Sequence, residues 1–212
     1  AVYVCGFTDS PDFPATPGAL AGIQQGGRDA FVCRLSADGT QLLTSGLLGG
    51  AGADEAEGLA LLPDGGLAVV GSTSSASFPT GVGPTSAPSL GGDDAFAVRL
   101  APGGGSIVWA RRYGGSSADA GYGVAVDAAT GDVFVGGAVA SNDFQTTPGV
   151  WIPTPAGGVD GFVVRAASVD GAVVFATRAG GGSDDVVRGV AADGVGGVAA
   201  AGATDTVDFP IT

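Results

Sequence analysis

Length, composition and charge exclude several classes of function. The 212-residue chain carries 21 Asp and Glu against eight Arg, contains no Lys and no His, and has a net charge of −13. Such a surface repels nucleic acid, and catalysis would have to rest on carboxylates because the commonest general base is missing. No apolar run approaches the ~20 residues that a bilayer span needs, so we expect no transmembrane segment.

The predicted elements recur along the chain with one period. Strand-ending glycines stand at Gly6, Gly71, Gly137 and Gly202, at steps of 65, 66 and 65 residues. A turn residue follows each glycine at the same steps, as Phe13, Phe78, Phe144 and Phe209. Next come a strand-opening aspartate (Asp29, Asp94 and Asp160) and a strand-closing arginine (Arg34, Arg99 and Arg165). These landmarks predict repeats at approximately 1–65, 66–131 and 132–197, with a partial copy at 198–212.

Each period contains four short apolar runs, which predict two β-hairpins. In the second copy the runs are 58–62, 67–70, 95–100 and 106–111, and the glycine-rich turns 63–66 and 102–105 join them in pairs. The runs do not alternate between apolar and polar residues, so both faces of each sheet must be covered. The predicted fold class is therefore all-β, with four-stranded antiparallel sheets as the blades of a β-propeller.

The number of strands predicts a part of a larger ring. Three full blades plus one strand amount to thirteen strands, whereas a ring of four blades needs roughly sixteen. The chain also begins inside a repeat and without an initiator Met. We therefore expect an excerpt of a longer chain, with further blades supplied by the rest of that chain or by another protomer.

One stretch of the chain resembles a known repeat family. It runs from Val124-Ala125-Val126-Asp127 through Val133-Phe134-Val135-Gly136, Asp143-Phe144 and Asp160-Gly161-Phe162-Val163-Val164-Arg165 to Gly180-Gly181-Gly182-Ser183-Asp184-Asp185. This combination is similar to the SBBP family of β-propeller repeats, and the resemblance extends over the whole chain. It implies an extracellular or cell-surface protein, usually multidomain, with no assigned catalytic residues. Gln145, where the family has Pro, and the long copies depart from the family pattern.

Residues that return in every copy predict structural roles, because a catalytic residue is expected in one copy only. We expect the three strand-opening aspartates to cap local backbone amides. The three strand-closing arginines should make ion pairs or hydrogen bonds within a blade. The four turn Phe residues should pack between neighbouring blades.

A second set of carboxylates follows the glycine-rich loops that end each copy. It consists of Asp54, Glu55, Asp119, Asp184 and Asp185. Carboxylates on such loops could bind Ca²⁺, although no copy has the dense aspartate ladder of a dedicated calcium loop. The simpler interpretation is that they cap backbone amides, and no other cofactor is expected.

Two groups of residues occur in one copy only. Trp109, Arg111, Arg112 and Tyr113 stand on one predicted strand and are the best candidates for contact with a partner. The alternative is that they cover a sheet edge. Cys5 and Cys33 lie on neighbouring predicted strands, where a disulfide and two buried free thiols replacing Val are both open.

These patterns favour a non-catalytic structural or interaction module of a secreted or cell-surface protein. We expect it to bind protein or glycan through the face that carries the long loops. One alternative is an adhesion module stabilised by Ca²⁺. Another is a carboxylate-based lyase or glycosidase, which would need two non-repeating acids converging near the ring centre.

Overall fold

The described residues form an all-β structure whose strands follow the predicted apolar runs. The structure, a computed structural model, describes residues 1–18, 20, 24–76, 78, 89 and 91–210. Glycines interrupt every stretch long enough for a helix, and the Val, Leu and Phe between them favour strands. The strands are β1 Val2–Thr8, β2 Asp29–Leu35, β3 Leu42–Leu48, β4 Asp54–Leu61, β5 Leu67–Thr73, β6 Asp94–Leu100, β7 Ile107–Tyr113, β8 Asp119–Val126, β9 Val133–Val139, β10 Asp160–Ala166, β11 Val173–Ala179, β12 Asp185–Ala192 and β13 Val198–Thr204.

These strands divide among four antiparallel sheets. The sheets are β1-β2-β3, β4-β5-β6-β7, β8-β9-β10-β11 and β12-β13, called sheets 1 to 4 below. Thirteen strands were expected, but their grouping as three complete blades plus one strand was wrong. A repeat period does not locate sheet boundaries, which fall at the glycine-rich loops before β4, β8 and β12. As a result, β1 corresponds to the second strand of the complete sheets.

Tight turns and long loops lie at opposite ends of each sheet, as antiparallel order requires. Gly65 in the β4–β5 turn has φ +84°, and Gly103 and Gly104 in the β6–β7 turn have φ +92° and +80°. Only glycine adopts such angles without strain, so both predicted hairpin turns are confirmed. The other end, called the long-loop end, carries the loops between second and third strands and those between sheets. Parts of these loops, including Ser77 and Pro79, lie outside the described residues.

The middle strands of sheets 2 and 3 are buried on both faces, as predicted. Strands β5, β6, β9 and β10 each have six of seven residues buried. One apolar cluster around Phe96 joins sheets 1 and 2, and another around Phe162 joins sheets 2 and 3. By contrast, six of the seven residues of β13 are exposed.

The first strands of successive sheets pack on their neighbours. Strand β8 contacts β4 and β5, and β12 contacts β8 and β9. The approach is close, because a Cβ at Gly58 would lie 3.1 Å from the carbonyl oxygen of Tyr122, and one at Gly123 would lie 3.0 Å from that of Arg188. Within the described part of the chain, no helix has the length and hydropathy to cross a bilayer.

Candidate functional site

One arrangement recurs three times at the long-loop end, between successive sheets. It pairs the aspartate that opens the third strand of one sheet with the aspartate that opens the first strand of the next. Junction 1 contains Asp29 and Asp54, junction 2 contains Asp94 and Asp119, and junction 3 contains Asp160 and Asp185. None of the six is more than 3% exposed. In junction 2 both carboxylates converge on Gly114, where a Cβ would lie 2.6 Å from Asp119 Oδ2 and 2.8 Å from Asp94 Oδ1.

The second aspartate of each junction caps the glycine-rich loop before it. The Oδ2 atoms of Asp54, Asp119 and Asp185 accept hydrogen bonds of 2.7–2.8 Å from the N–H groups of Gly50, Gly115 and Gly181. Asp119 also accepts from the N–H groups of Ala140 and Ser141, at 2.9 and 3.1 Å, and from the Ser141 hydroxyl at 2.6 Å. The amide-capping interpretation is therefore confirmed for these three calcium candidates.

The other two calcium candidates have different partners. Asp184 Oδ1 accepts a hydrogen bond of 2.9 Å from the N–H of Val159. Glu55 pairs with Arg28. Across the part of the chain that the structure describes, no three His, Cys, Asp or Glu side chains group as metal ligands would. The structure thus does not bring the five candidates together.

Junctions 2 and 3 each contain a buried arginine that neutralises the first aspartate. Arg112 Nη1 lies 3.1 Å from Asp94 Oδ2, and Arg178 Nη1 lies 3.0 Å from Asp160 Oδ2. Both guanidinium groups also donate to a carbonyl oxygen, that of Ser75 for Arg112 and that of Ser141 for Arg178. Sequence analysis missed Arg178, although its 66-residue step from Arg112 is the repeat period.

Junction 1 lacks this arginine, because Leu47 stands at the equivalent position and is 2% exposed. Burial raises the pKa of Asp29, and the nearby charge of Asp54 raises it further. A hydrogen bond of 2.9 Å from the N–H of Gln25 opposes this rise in pKa. Asp29 Oδ1 is buried and has no hydrogen-bond partner among the residues that the structure describes. In junction 1 the buried carboxyl of Asp29 thus has a raised pKa, and Leu47 stands where the other two junctions have an arginine.

Around these constant junctions, some equivalent positions differ from copy to copy. The carbonyl oxygens of Arg28, Asp93 and Val159 accept the N–H of the second junction aspartate, at 2.8, 2.7 and 2.6 Å. The residue that makes this backbone contact thus has a cationic side chain in junction 1, an anionic one in junction 2 and an apolar one in junction 3. Loops at the surface tolerate such variation, and a rigid scaffold commonly places its binding residues there.

A second variable set lies on the first strand of sheets 2, 3 and 4. Strands β4, β8 and β12 each contain a β-bulge, and the residues omitted from the pairing are Glu57, Tyr122 and Arg188. The close packing at Gly58 and Gly123 sets these three residues side by side, and we call them the bulge row. The Arg188 guanidinium lies 5.7 Å from the centre of the Tyr122 ring.

The bulge row is accessible from the long-loop end. Glu57 and Arg188 are exposed, and Tyr122 is half-buried. One cavity of about 350 Å³ lies between Tyr122, Asp93 and Asp119, and another of about 310 Å³ lies between Tyr122, Asp184 and Arg188. Sequence analysis missed this row. The sequence does contain a signal for it, because one position of the repeat carries an acid, then a phenol and then a guanidinium in successive copies.

The proposed contact residues on β7 face inward, which corrects their assignment as partner contacts. Trp109 is 1% exposed, and its Nε1 donates to the carbonyl oxygen of Ser168 at 2.9 Å. Arg111 donates to the carbonyl oxygen of Asp170 at 2.7 Å. Arg112 and Tyr113 are also buried. Trp109 and Arg111 thus attach sheet 2 to the β10–β11 turn of sheet 3.

Two of the recurring arginines connect sheets at the tight-turn end. Arg99 lies 2.5 Å from Asp64 of its own sheet and donates to Ser168 of the next sheet. Arg165 lies 2.8 Å from Asp132 and donates to the carbonyl oxygen of Gly196 at 3.0 Å. Arg34 instead lies over the ring of Tyr3, 5.8 Å from its centre. Arg99 and Arg165 thus each pair with an acid of their own sheet, and both arginines also reach the next sheet.

The turn Phe residues pack on aromatic rings, and in three copies the partner is a Phe of the third strand. The ring centres are 4.8 Å apart for Phe13 and Phe31, 4.6 Å for Phe78 and Phe96, and 5.3 Å for Phe144 and Phe162. Phe209 contacts Trp151 instead, at 6.1 Å. Phe78 and Phe144 are thus buried in the core, whereas Phe13 and Phe209 are half-buried.

The two cysteines are free thiols. Cys5 pairs with Val32 and Cys33 pairs with Val4, so their side chains point to opposite faces of sheet 1. Burial raises the pKa of Cys5 to about 11, with a further contribution from Glu57. Of the two alternatives, the structure supports thiols that replace Val.

Comparisons with protein-family models and with curated proteins found no match to this chain.

Proposed function

We propose that this chain is a non-catalytic segment of an SBBP-type β-propeller, which binds a protein or glycan ligand at the bulge row and the surrounding long loops. In this proposal sheets 1 to 4 are successive blades, and further sheets complete the ring. The repeated four-stranded units and their stacking through first strands support such an arrangement. An extracellular or cell-surface location follows from the family resemblance.

The observation that carries the proposal is the contrast between constant and variable positions. The three junctions keep the same pair of buried aspartates, yet the bulge row carries Glu57, Tyr122 and Arg188 in turn. All three residues stand on the same bulge of equivalent strands, so the backbone arrangement does not require three different side chains. An acid, a ring and a guanidinium side by side suit a polar ligand, with the half-exposed ring of Tyr122 available for stacking.

The same geometry favours binding over catalysis. A two-carboxylate hydrolase needs a pair of acids that flank the scissile bond. Of the acids near the bulge row, Glu55 is paired with Arg28, and Asp119, Asp184 and Asp185 accept hydrogen bonds from backbone amides. The calcium candidates, in turn, are occupied by backbone amides and Arg28, which favours the interaction module over the Ca²⁺-stabilised module.

A binding screen with matched variants tests the proposal. The folded chain is applied to an oligosaccharide array and to a displayed peptide library, alongside Tyr122→Ala and Arg188→Ala. We expect a probe whose affinity falls at least tenfold in both variants. The control is Val169→Ser, which changes a side chain 82% exposed at the tight-turn end. Absence of a bound probe in both screens, or equal binding by all four proteins, would overturn the proposal. Small-angle scattering separately tests whether the sheets fan around an axis.

A further inference from the structure

A cavity of about 250 Å³ lies between sheets 2 and 3, beside the last strand of each sheet. Its wall includes Tyr113 at the end of β7, the turn residue Phe144, and Val164 of β10. Tyr113 and Phe144 are each 6% exposed, and Val164 is fully buried. Of the lining residues that the structure describes, Gln145 and Val173 are the exposed ones, so the cavity opens to solvent beside them.

The packing of β7 on sheet 3 explains where this cavity forms. Trp109, Arg111 and Tyr113 are alternate residues of one strand and therefore face sheet 3 together. Trp109 and Arg111 attach to the β10–β11 turn at the tight-turn end, and junction 2 connects the same two sheets at the long-loop end. The cavity is the gap between these two attachments, and both sheets that form it have four strands.

Two residues of the cavity depart from the repeat. Tyr113 ends β7, whereas Leu48 ends β3 and Ala179 ends β11. Gln145 follows the turn Phe, where the other three copies have Pro. Both changes bring a polar side chain to the wall of the same cavity.

The hydroxyl of Tyr113 is the observation that points to a ligand. Its oxygen is buried and has no hydrogen-bond partner in the part of the chain that the structure describes. A buried hydroxyl without a hydrogen bond costs free energy. Burial raises the pKa of Tyr113, so at neutral pH the phenol keeps its proton and can both donate and accept.

The rest of the wall indicates the chemistry of the ligand. Phe144 and Val164 are apolar, and the charge of Arg112 is compensated by Asp94 at 3.1 Å. A charged ligand would therefore lose its hydration without gaining a counter-ion. An aromatic ligand can pack on the Phe144 ring. Because an apolar cavity of about 150 Å³ accommodates benzene, this larger one has room for a substituted benzene ring.

We propose that the cavity between sheets 2 and 3 binds a small neutral aromatic molecule that carries one hydroxyl or carbonyl group. The ring of the ligand packs on Phe144, and its polar group forms a hydrogen bond with the Tyr113 hydroxyl. This inference goes beyond the proposed function and does not rest on it, because the cavity shares no lining residue with the bulge row.

Two matched probes test the hydrogen bond to Tyr113. They are 4-ethylphenol and ethylbenzene, which has the same ring and lacks the hydroxyl. Calorimetric titration of the folded chain should show one site that binds 4-ethylphenol about fivefold or more tightly than ethylbenzene. The variant Tyr113→Phe keeps the ring and removes the hydroxyl. It should weaken 4-ethylphenol binding by about the same factor and leave ethylbenzene binding unchanged.

A pair of neighbouring valines on β11 tests the location. Val173 lines the opening and Val174 does not, although both are exposed. Val173→Phe should obstruct the opening and weaken both probes about tenfold, whereas Val174→Phe should change neither, with circular dichroism to verify the fold. Tyr122→Ala should also leave probe binding unchanged, so failure at the bulge row and failure at this cavity are distinguishable.

Several outcomes would overturn the inference. It is wrong if 4-ethylphenol does not bind, or if Tyr113→Phe or Val173→Phe binds it as tightly as the wild type does. Equal affinity for the two probes would also overturn it, because the cavity would then be a packing gap that admits any small apolar ring. The anion 4-ethylbenzoate should bind more weakly than 4-ethylphenol, and tighter binding of this anion would exclude a neutral ligand.

Discussion

Junctions 1 and 3 have the same pair of buried aspartates but differ at one position on the last strand of the sheet. This position is Leu47 in junction 1 and Arg178 in junction 3. In junction 3 the guanidinium pairs with Asp160 and donates to a carbonyl oxygen. In junction 1 the pKa of Asp29 rises, first because of burial. One backbone arrangement therefore accommodates a buried acid with an arginine partner in junction 3 and with a leucine at that position in junction 1.

The largest expected effect comes from converting junction 3 into junction 1 with Arg178→Leu. The substitution leaves Asp160 buried without its cation, and breaking a buried pair in this way costs about 3–5 kcal/mol. Urea unfolding of the variant and the wild type measures the loss. The control is the double variant Asp160→Asn/Arg178→Leu, which should recover part of it. A loss below about 1 kcal/mol would mean that the ion pair contributes little to the difference between the junctions.

The repeat and the strands could be predicted from the sequence because turns and strands are each marked by residues that are close together in the chain. Gly65, Gly103 and Gly104 mark turns that require positive φ, and the apolar runs overlap the observed strands to within one residue at the ends that adjoin the turns. The grouping into sheets could not be predicted from the period. A periodic pattern has no starting point, and sheet 2 begins at Asp54 because β4 pairs with β5 and not with β3.

The candidate site was harder to predict than the fold. The landmarks that reveal the repeat are the residues that do not vary, so they drew attention away from Tyr122 and Arg188. The inward orientation of Trp109 was also not predictable, since it depends on the approach of the β10–β11 turn from the next sheet. There, a Cβ at Gly171 would lie 2.8 Å from the Trp109 ring.

The same substitution should have opposite effects in the two junctions. Asp160→Asn removes the charge that pairs with the buried Arg178, and the loss of a charged hydrogen bond costs roughly 2–3 kcal/mol. Asp29→Asn removes a poorly compensated buried carboxylate and should stabilise the chain by about 1 kcal/mol at pH 7. Urea unfolding at pH 7 measures both. If both substitutions destabilised the chain, the Asp29 carboxylate would contribute to stability even though Leu47 stands in place of an arginine.

The advantage of Asp29→Asn should shrink as the pH falls. Because the pKa of Asp29 is higher in the folded than in the unfolded chain, the wild type gains stability as the pH drops through the folded pKa. Carboxylates with lowered pKa, such as Asp64 and Asp143, contribute less to the stability of the chain as the pH falls. Their contribution falls equally in the wild type and in the variant, so it cancels in the difference between the two proteins. Melting temperatures between pH 7 and pH 4 measure the gap, and a constant gap would assign the effect to something other than the proton on Asp29.

The smallest effect is expected from Arg28, the arginine that junction 1 has in place of a buried one. Arg28 pairs with Asp9 and Glu55, and its side chain is 36% exposed. Because exposed pairs are screened by salt and pay the entropy of two ordered side chains, Arg28→Gln should barely change the melting temperature. The measurement compares low and high NaCl, with Arg178→Leu as the large-effect control. A loss that approaches that of the control would mean that Arg28 compensates the charge of Asp29 from the surface, and junction 1 would then resemble junction 3 after all.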